Sequence, residues 1–372
     1  MESFYIDHNA TTPMHPEAIE AMASVQREWF GNASSVHSCG SDARTVLEGA
    51  RRRIAGMIGC KPKELYFTSG GTEANNWALC GSLEKHPSWG VIPSAIEHKS
   101  VLNAAWAYCP VVTDQDGILE LDDLESVMKK IGHDSLVSVM LANNETGVIQ
   151  PVREIVDVVK RLRPDSLVHT DAVQMFGKHP VNVEQLGVDL MTISAHKVGG
   201  PKGIGALYVR EGVEIEPLIR GGHQERDRRA GTENVAARLR QENLRQYTAA
   251  VYEHTSTLER RLSHALGNVW INGGGAQRIP NTLNMGFGGV DSEALVLMLS
   301  GQGVMVSNGS ACEAGSLDGS HVLKAMGQSE EDSRSAIRFS FSDDLPDGAM
   351  DLIVGRVIES VDSLRGMSVV PL

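Results

Sequence analysis

The sequence predicts an α/β fold: a large domain with a mainly parallel sheet flanked by helices, then a smaller α+β domain. Three observations carry this. Between residues 65 and 209, short β-rich runs alternate with helical patterns, the mark of strands joined by crossover helices. Beyond about residue 250 the texture changes to shorter strands and turns. With 372 residues the chain can bury a substantial core, so one large unit plus a smaller one is expected. We place the large domain at 13–250 and the small one at 251–372, with the opening segment 1–12 joined to the latter.

The opening Tyr5-Ile6-Asp7-His8-Asn9-Ala10-Thr11-Thr12-Pro13 is short and polar, and proline ends it. Helical periodicity runs from 16 to 29, and the stretch 31–40, full of turn-formers, reads as a loop. A second helix is expected over 43–58, because Val46, Leu47, Ala50, Ile54 and Met57 fall on one stripe. Strands are expected at 65–67, 90–92, 136–141, 167–169, 190–193 and 206–209. Helical patterns such as 152–162 lie between most of them. A long helical pattern with a break covers 235–266, and short strands follow at 280–287, 303–306 and 336–341.

The formal net charge of −13 argues against a broad basic surface for nucleic acid. The densest basic run, Arg51-Arg52-Arg53, lies in a helical pattern and reads as a solvated face. No apolar run is long enough to span a bilayer, and Met1-Glu2-Ser3-Phe4-Tyr5 lacks the basic and apolar regions of a secretory signal. Five cysteines, odd in number and widely spaced, give neither a disulfide framework nor a zinc pattern. The expectation is a soluble cytoplasmic protein with free thiols, no metal, no membrane and no direct nucleic-acid partner.

Candidate chemistry sits at strand ends. Thr68-Ser69-Gly70-Gly71-Thr72-Glu73-Ala74-Asn75-Asn76 follows a strand and opens a helix. Its glycines let a ligand approach the backbone, Thr72 suits the N-cap, and free amides at a helix start hold phosphate. Neither the dinucleotide fingerprint nor a Gly-Lys-Ser/Thr nucleotide loop is present. His169-Thr170-Asp171-Ala172-Val173-Gln174 ends another strand, where a carboxylate can pair with a protonated pyridine nitrogen. In Ser194-Ala195-His196-Lys197-Val198-Gly199-Gly200, Lys197 stands where a strand gives way to a glycine-rich turn. A desolvated lysine there can form a Schiff base with a carbonyl cofactor. Singly, these are an ordinary turn, a helix cap and a solvated lysine. Together, in that order, they fit one ligand: pyridoxal 5′-phosphate.

With those motifs in view, the chain resembles the cysteine desulfurases of the nitrogen-fixation and iron–sulfur-assembly type, in the class V aminotransferase group of fold-type I pyridoxal-phosphate enzymes. The resemblance runs from the opening Tyr5-Ile6-Asp7-His8-Asn9 to Ile337-Arg338-Phe339-Ser340. It includes Glu97-His98, Asn143-Asn144-Glu145-Thr146-Gly147, Ala230-Gly231-Thr232-Glu233-Asn234 and Ser310-Ala311-Cys312. It implies that Lys197 holds the cofactor and shuttles protons, that Asp171 pairs with the pyridine nitrogen, and that Gln174 and Asn144 reach the ring's phenolic oxygen or the substrate. It implies further that His98 stacks on the ring with an acid–base role, and that Gly71, Thr72, Ser194 and His196 hold the phosphate. Thr232 would reach the phosphate of a neighbouring subunit, which implies a homodimer. Arg338 would anchor the substrate carboxylate, helped by Asn32. Read physically, His98 equally suits packing, Asn144 a turn, Thr232 a helix cap and Arg338 an edge strand facing water.

Ser307-Asn308-Gly309-Ser310-Ala311-Cys312-Glu313-Ala314-Gly315-Ser316 is small, polar and turn-rich, and an exposed thiol in such a loop can act as a nucleophile. The spacing from Cys312 to Ser320-His321-Val322-Leu323 resembles the long-loop desulfurase subgroup. Asn308 stands where serine is common, and Ala33 replaces a usual proline. Glu313 puts a carboxylate beside the thiol, which disfavours thiolate. The longer tail with which housekeeping desulfurases dock their scaffold is not expected. The implied reaction converts L-cysteine to L-alanine, with sulfur passing to Cys312 as a persulfide. From there it would go to an acceptor protein, for iron–sulfur cluster assembly or nucleic-acid thio-modification. Alternatives on the same scaffold are an aminotransferase or a selenocysteine lyase; outside it, a non-catalytic sulfur carrier or scaffold subunit.

Overall fold

The computed structural model describes residues 2–104, 109–235, 244–308 and 319–368. The chain opens with β1 (Phe4–Tyr5), α1 (Pro16–Glu28) and α2 (Ser38–Ile58). Proline at the start of α1 removes an N–H that no helical partner needs. α2 begins ahead of the expected residue 43, because His37 caps it: His37 Nδ1 accepts from Gly40 N at 3.3 Å. Its stripe is buried at Leu47, Ala50, Ile54 and Ile58. Arg52 and Arg53 are exposed, but Arg51 is buried, which corrects the expectation of a solvated basic face. Arg51 shares the inward stripe of Leu47 and Ile54, at helical spacing, and pairs there with Glu225.

The first sheet is built from β2 (Leu65–Thr68), β3 (Val91–Pro93), β4 (Leu136–Ser138), β5 (Leu167–Asp171), β6 (Leu190–Ser194) and β7 (Gly205–Val209). Between them come α3 (Gly71–Lys85), α4 (Lys99–Leu102), α5 (Leu121–Ile131), α6 (Val152–Leu162) and α7 (Val183–Leu186). The order is β2-β7-β6-β5-β4-β3. Strands β3 to β6 are parallel, and β7 is antiparallel to both neighbours, so β2 runs the same way as β6. The carboxyl ends of β2, β3, β4, β5 and β6 therefore share one edge. Every residue of β4, β5 and β6 is buried, as in a sheet covered on both faces. α3 covers one face through Trp77 and Ala78; α2, α5 and α6 cover the other through Ile54, Leu124, Ile155 and Val159. β4 is shorter than the expected 136–141, yet its chain stays paired: Val139 N donates to His169 O, and Leu141 N to Asp171 O.

The remainder runs α8 (Leu244–Ala265), β8 (Val269–Ile271), β9 (Thr282–Phe287), α9 (Ser292–Gly301), β10 (Val304–Met305), α10 (His321–Ala325), α11 (Glu330–Ser333), β11 (Ala336–Ser340) and α12 (Ala349–Ser368). An antiparallel sheet, β11-β9-β8, packs with α8, α9 and α12 around a second core that includes Leu258, Phe287, Leu295, Phe339 and Val357. Phe4 and Ile6 belong to this second core, and β1 pairs in parallel with β10. The opening segment then crosses to the first sheet, where Thr12 N donates to His196 O and His15 N to Gly199 O, each at 2.9 Å.

Candidate active site

The shared carboxyl edge gathers most of the sequence-predicted residues, each just past a strand: Gly71 after β2, His98 after β3, Asn144 after β4, Asp171 ending β5 and Ser194 ending β6. In open α/β sheets this edge is where ligands bind. Lys197 closes a single turn of 3₁₀ helix, Ala195–Lys197, directly after β6. The turn relies on Gly199, whose φ of +72° and closeness to the His15 ring leave no room for a side chain. Lys197 Nζ donates to Asn9 O at 2.6 Å and Ala10 O at 2.7 Å, so the crossing segment holds the amine in place.

Asp171 has both carboxylate oxygens engaged: Oδ1 accepts from Val173 N at 2.9 Å and Oδ2 from Asn75 Nδ2 at 2.7 Å. Asn75 Nδ2 also donates to Ser100 Oγ at 2.8 Å. Ser100 in turn meets His98, its backbone N–H donating to Nδ1 at 3.1 Å and its hydroxyl lying 2.7 Å from the same nitrogen. A backbone N–H can only donate, so Nδ1 is the acceptor and the neutral ring carries its proton on Nε2. Burial pushes the His98 pKa below its ordinary value; Lys197, His321 and Lys99 add to this, and Asp171 opposes it. Burial, with Lys197, Lys202 and Lys178, likewise lowers His196 to about 4. Its Nδ1 lies 3.1 Å from Thr11 Oγ1.

Gln174 is buried, with Nε2 donating to Asn9 O at 3.0 Å. Arg338 is buried rather than facing water, because the opening segment and the 142–149 turn cover β11 there. Its Nη2 donates to Asp7 Oδ1 at 2.6 Å and its Nη1 to Asn144 O at 3.0 Å. Thr72 is not the N-cap; Gly70 is, and Thr72 is an exposed residue inside α3. Glu73 serves that helix start instead, reaching back to accept from Ser69 N at 2.8 Å. Asn32 and Thr232 are exposed, and Asn32 Oδ1 accepts from Ser34 N within its own loop. Cys312 and Glu313 lie outside the described residues. The sequence reading assigned Asn9 and Asn75 no role although both lie in its motifs, the opening segment and the segment after β2, and it passed over Ser100 and Lys178, which carried no signal.

These residues fit pyridoxal phosphate. Ser194 Oγ is buried with no hydrogen-bond partner among the described residues, a donor suited to a phosphate oxygen. Gly71 lies beside it: a Cβ there would come within 3.0 Å of Val173 Cγ2 and 3.7 Å of Ser194 Cβ, closing that space. The start of α3 has no side-chain cap at Gly70, so its first amides are available to an anion.

An amine beside a strand end, a carboxylate held by amides and an uncapped helix start on a mainly parallel sheet define a pyridoxal-phosphate enzyme. The aminotransferase class-V family model matches residues 4–344. The chain is 42% identical over 357 residues to the cysteine desulfurase IscS of Dictyoglomus turgidum, covering 90% of this chain and 89% of that one. It is similar to a solved NifS-like protein at 34% identity and a TM-score of 0.87, over 97% of this chain and 100% of the other. SspA, solved in complex with cysteine, is 31% identical with a TM-score of 0.77, over 91% and 98% of the two chains. The chain belongs to the class-V aminotransferase family and, within it, to the cysteine desulfurases, which depend on pyridoxal phosphate.

Proposed function

We propose that this desulfurase takes L-cysteine, releases L-alanine and carries the sulfur on Cys312 as a persulfide. One observation supports it above others: Lys197, Asp171, His98 and Ser194 share one strand edge in a chain of this family. SspA, with cysteine bound, supports the choice of substrate. Pyridoxal phosphate, when bound, supplies an electron sink for the substrate's α-carbon. Asp171 would hold a proton at the pyridine nitrogen, and Gln174 and Asn144 would face the phenolic oxygen or the substrate. Gly71, Thr72, Ser194 and His196 would bind the phosphate. Arg338 would bind the substrate carboxylate through its planar fork, with Asn32 beside it. Lys197 would take and return the α-proton, and His98, stacked on the ring and carrying its proton on Nε2, would serve as a second acid–base group.

Cys312 thiolate attacks the substrate sulfur, so an S–S bond forms as the C–S bond breaks. The electron pair of the broken bond stays on carbon and takes up a proton, giving the methyl group of alanine. The balance is a thiol plus cysteine giving a persulfide plus alanine. Thr232, exposed in this chain, would serve the phosphate site of a second copy, so the working unit proposed is a homodimer. A persulfide carrier needs reduced thiols, which places it in the cytoplasm. Its acceptors would be proteins of iron–sulfur assembly or of nucleic-acid thio-modification. The cofactor domain would extend over 13–250, and 251–372 with the opening segment would form the smaller domain.

The test incubates the protein with L-cysteine and a thiol reductant, with Cys312→Ala alongside, and quantifies alanine and sulfide. Equal yields from the native chain and neither product from the variant are expected. A keto acid in place of alanine would overturn the reading in favour of transamination.

A further inference from the structure

Lys178 has no part in the chemistry above, yet it is 1% exposed and lies among the site residues. Among the described residues no carboxylate pairs with it, which is a costly place for a lysine. Its Nζ instead donates to two side-chain amides, Asn9 Oδ1 and Gln174 Oε1, each at 2.8 Å. The oxygen and nitrogen ends of an amide are nearly the same size, so its orientation is decided by its partners. Lys178 draws both oxygen ends toward itself. The nitrogen ends then point the other way: Gln174 Nε2 to Asn9 O, and Asn9 Nδ2 to Thr282 Oγ1 at 2.8 Å. Asn9 O is also the acceptor for Lys197 Nζ. Asn281 Nδ2 donates to Asn9 Oδ1 at 3.1 Å, which fits the same orientation.

We propose that Lys178 is a positioning residue, which fixes the Asn9 and Gln174 amides so that Gln174 offers an N–H donor, not a carbonyl, on the Lys197 side. This rests on the reading that Gln174 reaches the cofactor's phenolic oxygen. A donor there favours the ionised oxygen; a flipped amide would oppose it. Burial lowers the Lys178 pKa well below its ordinary value, with Lys197 and Arg338 adding to this. A neutral amine still has the two N–H groups that these bonds require. The charged or titratable groups around it among the described residues include Lys197, Arg338, His8 and His196, and His15, His179, Asp343 and Asp344 line the same cavity as Lys178.

The experiment follows the pH midpoint of the bound cofactor's absorption band in the holoenzyme, for Lys178→Met, Gln174→Leu and the double variant. The expected result is a midpoint displaced upward by about one pH unit in each single variant, with no further displacement in the double. Additive displacements, or a native midpoint in Lys178→Met where Gln174→Leu moves it, would overturn the proposal. Should Lys178→Met fail to fold, Gln174→Glu decides: the carboxylate keeps an acceptor for Lys178 but loses the N–H donor. It must displace the midpoint as Gln174→Leu does, and a native midpoint overturns the proposal. A native chain that takes up no pyridoxal phosphate overturns both this and the reading beneath it, whereas cofactor uptake with an unmoved midpoint overturns this alone.

Discussion

Asn75 Nδ2 lies 2.7 Å from Asp171 Oδ2, so an amide from α3 holds the carboxylate that ends β5. The helix start proposed to hold the phosphate and the residue proposed for the pyridine nitrogen are thereby joined through side chains. The same amide holds Ser100, whose hydroxyl lies against His98. This connection would fix the spacing between the proposed phosphate site and the aspartate that a cofactor must span.

Replacing Asn75 with Leu keeps the volume and removes the donor. Asp171 Oδ2 loses a bond of the charge-assisted kind, about 1.5–3 kcal/mol. Asp171 would then be oriented by Val173 N alone, and pyridoxal phosphate should bind at least about tenfold more weakly. Titrating the cofactor-free variant by fluorescence or calorimetry measures this. An unchanged dissociation constant would show that Asn75 does not position Asp171.

Arg338 already bonds Asp7 and Asn144 O, and its buried Nε has no partner among the described residues. An anchor for a carboxylate needs a planar fork, which lysine cannot supply. Arg338→Lys should therefore lower kcat/KM for L-cysteine by about tenfold or more, chiefly through KM. Steady-state alanine production checks it; a KM equal to that of the native chain would remove Arg338 from substrate binding.

Much of this was legible in the sequence, for identifiable reasons. β5 and β6 are covered on both faces, so their aliphatic runs stand out without alternation. Lys197 and Asp171 stood out because strand ends meet turn-formers there. By contrast, β8 is short and half-buried and follows a long helical pattern, which concealed it. Arg51 sat in a run of three arginines, and nothing local shows that its partner Glu225 lies 174 residues on. Asn9 and Lys178, 169 residues apart, acquire meaning only when folding sets them side by side. Side chains that position others are recognised by their partners, and partners are not a local property of sequence.

Glu97 supplies a pH-dependent prediction. It is fully buried, and burial raises its pKa from 4.5 to about 8, against hydrogen bonds from Ser94 and Met140 N and with Asp171 adding to the rise. Between those two values the folded chain keeps a proton that the unfolded chain has lost, so stability falls as pH rises through the window. Glu97→Gln cannot ionise, and its carbonyl can still accept from Ser94 and Met140 N. The variant should match the native chain near the lower limit and exceed it by on the order of 2 kcal/mol near neutrality. Urea unfolding at several pH values measures the gap. A gap that does not widen with pH would mean that Glu97 is ionised in the fold.

The pair between Arg51 and Glu225 yields the strongest stability prediction. Its side chains are 3% and 2% exposed, and the two bonds are 2.7 and 2.8 Å. Glu225 also accepts from Phe67 N in β2, while Arg51 Nη1 donates to Leu65 O. The acidic partner sits on unfavourable backbone, since Glu225, Arg226 and Asp227 have φ of 45°, 58° and 66° in succession. The pair thus ties α2 and β2 to this strained turn, beside Arg226 Nη2, which donates to Leu65 O at 2.7 Å, and the turn leads to Ala230-Gly231-Thr232. Arg51→Leu leaves the buried carboxylate without its counter-charge and should cost about 3–5 kcal/mol; Glu225→Gln should cost less, because Arg51 Nε keeps the more exposed Glu48 at 3.0 Å. Arg51→Leu with Glu225→Gln removes both charges and should recover part of that loss, giving a favourable coupling in the double-mutant cycle. If dimer formation uses Thr232, the single variants should also shift toward monomer in sedimentation, because the turn that presents it is released. A Glu225→Gln variant within about 1 kcal/mol of the native chain would show that the turn is held by other contacts.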